Sequence, residues 1–247
     1  MDMQYLNNTV GKHIKTLKVF INYLSDNNLL PNPIDVRKFK VLREEPDVIH
    51  LTEEELLAIY HCKNLTQEQE WAKDNFCFSC FTGLRYSDNI KVDRSHIKDN
   101  MIEIRTTKTK KAIFIPLNPF AKEIIKKYDN PNSNRPLPPV MHNVTANALL
   151  KEIAKAAGLN EQVRLERFSG SRRIVEYKTK WELVCTHTAR RTFITLSIEK
   201  GMQSEVIMDV TGISSHKIFK RYLNITNKTR FVQMHDAWGT LGAKLTG

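Results

Sequence analysis

The sequence holds no apolar run approaching the roughly 18 residues that a membrane span requires, and no secretory signal precedes its first polar helix. The expectation is a soluble, cytoplasmic protein without a membrane partner. Cysteine is scarce: four in 247 residues, at positions 62, 77, 80 and 185. Cys77 and Cys80 form a C-x-x-C, but inside the apolar stretch Asn75-Phe76-Cys77-Phe78-Ser79-Cys80-Phe81, and no second pair completes a zinc site. They read as reduced thiols on a buried helix, so neither a metal nor a cofactor is expected. Internal repeats and low-complexity tracts are also missing. The last shortage is of acid: 27 Asp and Glu stand against 38 Lys and Arg, a net charge of +11. That imbalance favours a polyanionic partner, although basic ribosomal and membrane-surface proteins share it.

What is present suits a folded chain: 41% hydrophobic and 26% charged residues, mean hydropathy −0.42. The length allows one large domain, or one domain plus a fragment. Residues 9–26 put Val10, Ile14, Leu17, Ile21 and Leu24 on one helical face and lysines away from it. Residues 28–50 read as a linker with three prolines and the basic cluster Lys38, Lys40 and Arg43, which places a domain boundary near residue 48.

Beyond it, Thr52-Glu53-Glu54-Glu55 is a capping box opening a helix. A second helix, about 67–81, stops at Gly83, and a short one follows Arg85 to about Val92. Residues 101–106 and 112–116 are strands joined by a lysine-rich turn. Asn118 caps a helix to about Tyr128, and 144–157 is amphipathic and ended by Gly158. Residues 163–168 and 172–177 form a basic hairpin. Helices are expected at 187–200, 203–210 (stopped by Gly212), 214–225 and 228–238. The fold class is mainly α with a small antiparallel β-sheet (α+β).

Four local features could carry chemistry, and each has an ordinary structural explanation. Arg85 and Asp88 follow a helix stop, as in any capped turn with a surface ion pair. Lys108, Lys110 and Lys111 sit at a hairpin tip, where lysine is common because the tip is solvated. His187 and Arg190 are i and i+3 on one helical face, which suits an anion undergoing proton transfer better than a metal. Tyr222 lies among Lys217, Lys220 and Arg221, where a tyrosine beside Phe219 and Leu223 can simply pack.

Their joint order is more specific than any one of them. In Thr82-Gly83-Leu84-Arg85-Tyr86-Ser87-Asp88, His187-Thr188-Ala189-Arg190-Arg191 and Lys220-Arg221-Tyr222-Leu223 the sequence resembles the tyrosine recombinases, or phage-type integrases. It looks most like integrases of mobile elements in Bacteroides-type bacteria. The resemblance covers about 50–235 as a catalytic domain within 49–247, while 1–48 looks like a remnant of the helical core-binding domain plus a linker. Only about one helix of that domain is present, which reads as a front trimmed from a longer protein and implies weaker, less specific DNA binding.

The resemblance implies DNA strand transfer through a 3′-phosphotyrosine, without metal or cofactor. Tyr222 would be the nucleophile, Arg85 and Arg190 the clamp on the phosphate, Lys108 the acid for the leaving oxygen, His187 a proton-transfer group, and Asp88 an orienting group. Phenol chemistry makes such help necessary: with a pKa near 10, about one tyrosine in a thousand is ionised at pH 7, so activation is worth about 4 kcal/mol.

Lys38, Lys40, Lys110, Lys111, Arg172, Arg173, Arg191, Lys217, Lys220 and Arg221 would meet double-stranded DNA. The implied assembly is a homo-tetramer on two DNA sites, and a monomer or weak oligomer without DNA. Residues 227–247, with Phe231, Met234 and Trp238, could dock on a neighbour or fold back on their own chain. One departure matters: Ile213 stands where the family usually has a histidine or tryptophan, and His216 three residues on reads as solvated. Weakened chemistry is therefore expected. The alternatives are a DNA-binding regulator of recombination with a degenerate site, and strand relaxation like that of a type IB topoisomerase.

Overall fold

In the computed structural model, residues 5–45, 49–130, 135, 137–222 and 234–235 are described. Helix α1 runs Asn7–Asp26. α2 (Glu53–Tyr60) opens on the expected reciprocal cap, with Thr52 Oγ1 accepting the Glu55 N–H and the Glu55 carboxylate accepting the Thr52 N–H. Thr66 and Gln69 repeat the device at α3 (Gln67–Thr82). α3 stops where glycine can turn left-handed, with Gly83 at φ +70°.

After the single turn α4 (Tyr86–Asn89), strands β1 (Ile97–Lys98), β2 (Met101–Arg105) and β3 (Ala112–Pro116) form one antiparallel sheet in that order. β1 was not foreseen, because two residues carry no readable alternation. Ile102 faces Ile115 and Ile104 faces Ile113 across β2 and β3, and all four are buried, each contributing about 1.5–3 kcal/mol. Asn118 caps α5 (Pro119–Tyr128) by accepting the Ala121 N–H, and α6 spans Asn143–Ala156. The basic hairpin is β4 (Gln162–Ser169) and β5 (Arg172–Thr179). The turn α7 (Lys180–Leu183) leads into α8 (Thr186–Glu199) and α9 (Ser204–Thr211), which ends at Gly212.

The helix expected over 214–225 is shorter. Ser215 is extended, so α10 is only His216–Phe219, and a 3-10 turn, Lys220–Tyr222, follows it. Residues 223–225 and nearly all of the expected 228–238 helix, with Phe231 and Trp238, lie outside the described residues, whereas Met234 is exposed.

Contacts divide the chain into two units: Met1–Asp47 with Gln162–Lys178, and Val48–Glu161 with Thr179–Gly247. The boundary expected near residue 48 lies at 46–48, outside the described residues. By contacts the second unit also omits the hairpin. In the first unit the chain after α1 folds back over it, so closely that a Cβ on Gly11 would lie 1.9 Å from the Leu42 carbonyl oxygen. Asn8 and Glu44 exchange hydrogen bonds of 2.9 and 3.1 Å, Glu44 accepts the Phe168 N–H, and Asn7 bonds Gly170 at the hairpin tip.

The second unit is built on α3, against which α2, α5, α6 and α8 pack. Phe76, Phe78, Leu84, Leu150 and Ile153 lie in its main core. Cys77 and Cys80 are buried thiols in that core, as expected, and burial pushes both thiols up. Asp74, almost fully buried, accepts from Lys127 and from the Tyr128 hydroxyl, each at 2.6 Å, which ties α3 to α5. A second cluster joins Ile194 and Ile198 of α8 to Ile207 and Met208 of α9, Ile213 and Phe219. Among the described residues, no helix is long and apolar enough to cross a membrane.

Candidate active site

The site is laid out around α8. Its first turn is fixed from α6, where Asn147 Oδ1 accepts the Thr186 N–H at 2.8 Å and Asn143 Oδ1 accepts the Thr186 hydroxyl at 2.9 Å. Its far side is held by Thr192 Oγ1, which accepts the Leu51 N–H at 3.0 Å. Between these anchors the helix presents His187 and Arg190.

Arg190 is 3% exposed, an expensive place for a cation unless its protons find oxygen. Nη1 donates to the Gly83 carbonyl at 2.8 Å and Nη2 to the Thr211 carbonyl at 2.6 Å. Both acceptors belong to helix C-termini, the ends of α3 and α9, where unpaired carbonyls and the helix dipole favour positive charge. Gly83, predicted from the sequence as a helix stop, therefore also supplies half of the seat of this arginine. Burial, then the charge of Arg85, pull the Arg190 pKa down to about 10; Tyr222 and Asp88 oppose the fall, Tyr222 also through a hydrogen bond. The guanidinium thus stays protonated at neutral pH.

Arg85 stands at the N-cap of α4. Its Nη1 is 3.8 Å from Asp88 Oδ2, an ion pair beyond hydrogen-bond reach, and this buried nitrogen has no hydrogen-bond partner among the described residues. A buried guanidinium nitrogen left open beside a second guanidinium can donate to the oxygens of an anion. Asp88, 1% exposed, accepts the Thr107 N–H at 2.7 Å. Lys91 donates to the Thr107 hydroxyl at 2.9 Å. The residue next to Lys108 is thereby fastened to the helix turn that carries Arg85.

His187 keeps an exposed face. Crowding by protein atoms, then the charges of Arg191, Arg190, Arg85 and Lys108 in that order, pull its pKa down to about 4. The imidazole is neutral at pH 7, and the surrounding cations oppose its protonation. Charge links Arg85, Lys108 and Arg190 to His187, and Arg85, Asp88 and Tyr222 to Arg190.

Ile213 is 5% exposed and packs in the second hydrophobic cluster, against which Tyr222 also rests. His216 is exposed at the start of α10, and no hydrogen bond joins it to the site among the described residues.

The candidate DNA contacts are scattered. Lys38, Lys40, Arg172 and Arg173 belong to the first unit and are exposed, with Arg173 paired to Glu166 at 2.6 Å. In the second unit Lys110, Lys217 and Lys220 are exposed, Lys111 is engaged by Asp209 at 2.8 Å, and Arg191 is half-buried. The side chain of Arg221 lies outside the described residues. Sequence reasoning missed Thr107, Gly83 and Thr211 as backbone partners of the site. Only Gly83 carried a signal, as a helix stop. Among the described residues no group of three or more His, Cys, Asp or Glu could hold a metal ion.

The chain is similar to known proteins over most of its length. The chain is 23% identical over 237 residues to a tyrosine recombinase of Pseudothermotoga lettingae, covering 92% of this chain and 74% of that one. It is 26% identical over 239 residues to the tyrosine recombinase XerC of Chlamydia muridarum, covering 92% and 70%. Its fold matches a lambda integrase fragment (75–356), solved as a dimer bound to a COC′ core site, with a TM-score of 0.64 at 18% identity over 87% of this chain and 72% of that one. The model of the phage integrase family matches residues 50–229, and the chain belongs to that family.

Proposed function

We propose that the protein is a site-specific DNA recombinase that integrates or excises a mobile element by cutting and rejoining strands through a 3′-phosphotyrosine. The observation that carries this reading is the open, buried Nη1 of Arg85 beside Arg190, with Tyr222 near enough to act on the Arg190 charge. The Tyr222 oxygen attacks phosphorus, its proton passing toward neutral His187. The P–O5′ bond breaks as Lys108 protonates the leaving oxygen. The two guanidiniums stabilise the charge that gathers on the nonbridging oxygens, the largest single contribution in such reactions. Asp88 acts by holding Arg85 and the Lys108 hairpin in register. The 5′-hydroxyl of a second strand then reverses each step, so bond energy is conserved without a nucleotide cofactor.

The step as written needs no metal ion, because the cations supply the electrostatic work. The N-terminal unit is proposed as part of a DNA clamp, and the working assembly as a tetramer on two sites. The burial of Ile213 supports chemistry with one phosphate donor fewer. The test is covalent capture: incubated with nicked suicide duplexes over candidate sites, the wild type should give a denaturant-resistant protein–DNA band that Tyr222→Phe lacks. A band that persists in Tyr222→Phe would remove the nucleophile assignment. No band with wild type at any site would favour a DNA-binding regulator.

A further inference from the structure

Position 213 offers the site only hydrocarbon, yet the site has one more cation than the phosphate clamp requires. Arg191 follows Arg190 and lies at i+4 from His187 on α8. That spacing places the two side chains on one face, with Cβ atoms about 5–6 Å apart. Arg191 is half-buried, and among the described residues no hydrogen bond or ion pair engages it. A guanidinium drawn partly out of water without an acceptor is unfavourable unless a ligand supplies one, and its planar fork of donors matches phosphate oxygens.

We propose that Arg191 is a third guanidinium of the site, donating to a nonbridging oxygen of the bound phosphate alongside Arg85 and Arg190. This rests on reading the site as a phosphodiester site. Two further observations agree with it. Among the charges acting on His187, that of Arg191 ranks ahead of Arg190, Arg85 and Lys108, so its charge lies beside the imidazole that those cations also reach. The contacts also set one carboxylate, Asp88, against these four cations. A phosphodiester brings one negative charge and its five-coordinate transition state brings two, so the surplus of positive charge is offset more fully in the transition state than in the empty protein.

The test needs no DNA sequence. The imidazole of His187 in the intact chain is followed by NMR while pH and inorganic phosphate are varied. Phosphate should raise the His187 pKa in the wild type. Arg191→Gln should weaken phosphate binding about 10- to 100-fold and raise the His187 pKa in phosphate-free buffer. Arg191→Lys should keep the phosphate-free pKa near that of the wild type but recover only part of the affinity. A purely structural role would not give that split, and an intact His187 signal certifies the fold of each variant. Arg85→Gln is the reference. If it weakens phosphate binding while Arg191→Gln binds like the wild type, the assignment of Arg191 is overturned and the site reading stands. If Arg85→Gln changes nothing either, or wild-type His187 does not respond to phosphate, both fall.

Discussion

Replacing Ile213 by histidine sets two effects of known size against each other. The isoleucine is buried among Ile194, Ile198, Ile207, Met208 and Phe219. An imidazole kept in that cluster forfeits about 1.5–3 kcal/mol of apolar burial and about 1–3 kcal/mol more for unpaired ring nitrogens. It contributes nothing to catalysis from there. An imidazole that swings out toward the cations leaves a cavity, at about the 2–5 kcal/mol of an Ile→Ala change. It then adds a donor to the transition state, a gain of up to about 10²–10³ in rate.

The second outcome is expected, because a phosphate satisfies the ring while the cluster cannot. With Arg191 already supplying one contact, the gain should fall at or below the lower end of that range. Urea unfolding of wild type, Ile213→Ala and Ile213→His measures the cost. Adduct formation on a suicide duplex, at a temperature where all three are folded, measures the gain. An Ile213→His protein as stable as the wild type would show that Ile213 is not a core residue. Equal adduct rates for Ile213→His and Ile213→Ala would show that position 213 does not reach the phosphate.

Other perturbations act on single contacts. Gly83→Ala places a Cβ 2.5 Å from Phe193 Cδ1 at a φ of +70°. It should lower stability by about 2–4 kcal/mol, from overpacking together with left-handed strain, and should slow cleavage because the Gly83 carbonyl holds Arg190; urea unfolding and adduct assays read both. Asp88→Ala removes the acceptor of the buried Thr107 N–H and should speed hydrogen exchange at Thr107 while cutting cleavage about 10- to 100-fold; unchanged exchange would refute the tie to the Lys108 hairpin. His187 is held near pKa 4 against an ordinary 6.5, so the unfolded chain takes up the proton first as pH falls. Its contribution to stability is present above pH 6.5 and is lost progressively toward pH 4; His187→Asn should flatten that part of the profile in urea titrations at pH 7 and pH 5. DNA affinity should fall about 10³–10⁵-fold between 50 and 200 mM salt if about 6–10 phosphates are contacted; a flat response in filter binding would argue against a backbone-led interface.

What was legible in the sequence was local. Thr52 with Glu55, Thr66 with Gln69, and the stops at Gly83 and Gly212 are decided within a few residues, and the structure has each of them. The partners that turn these elements into a site are far apart in the chain. Arg190 donates to a carbonyl 107 positions away, and Lys111 meets an acid 98 positions away. No periodicity carries such pairings. The sequence therefore ranked Lys111 with free DNA contacts although Asp209 already engages it. It likewise presented Ile213 as a missing donor, while the structure adds that Ile213 belongs to the packing of α8, α9 and the turn bearing Tyr222. Residues 28–50 read as a linker because prolines and charge hide the reciprocal Asn8–Glu44 bonds.

The burial of Arg190 is the costly choice in this fold, and it is also what makes the site specific. A guanidinium has five N–H donors. Two go to the carbonyls of Gly83 and Thr211, and the others are left for Tyr222 and a ligand. Because both carbonyls end packed helices, the arginine cannot follow a misplaced phosphate. In the proposed reaction the phosphate comes to the arginine, not the arginine to the phosphate. A lysine in this position would keep the charge but could not span both helix ends and the phenol. Fixed donors spend no reorganisation energy when the transition state forms. Asp88 offsets part of the repulsion between Arg85 and Arg190, and in the proposed reaction the phosphate offsets more of it.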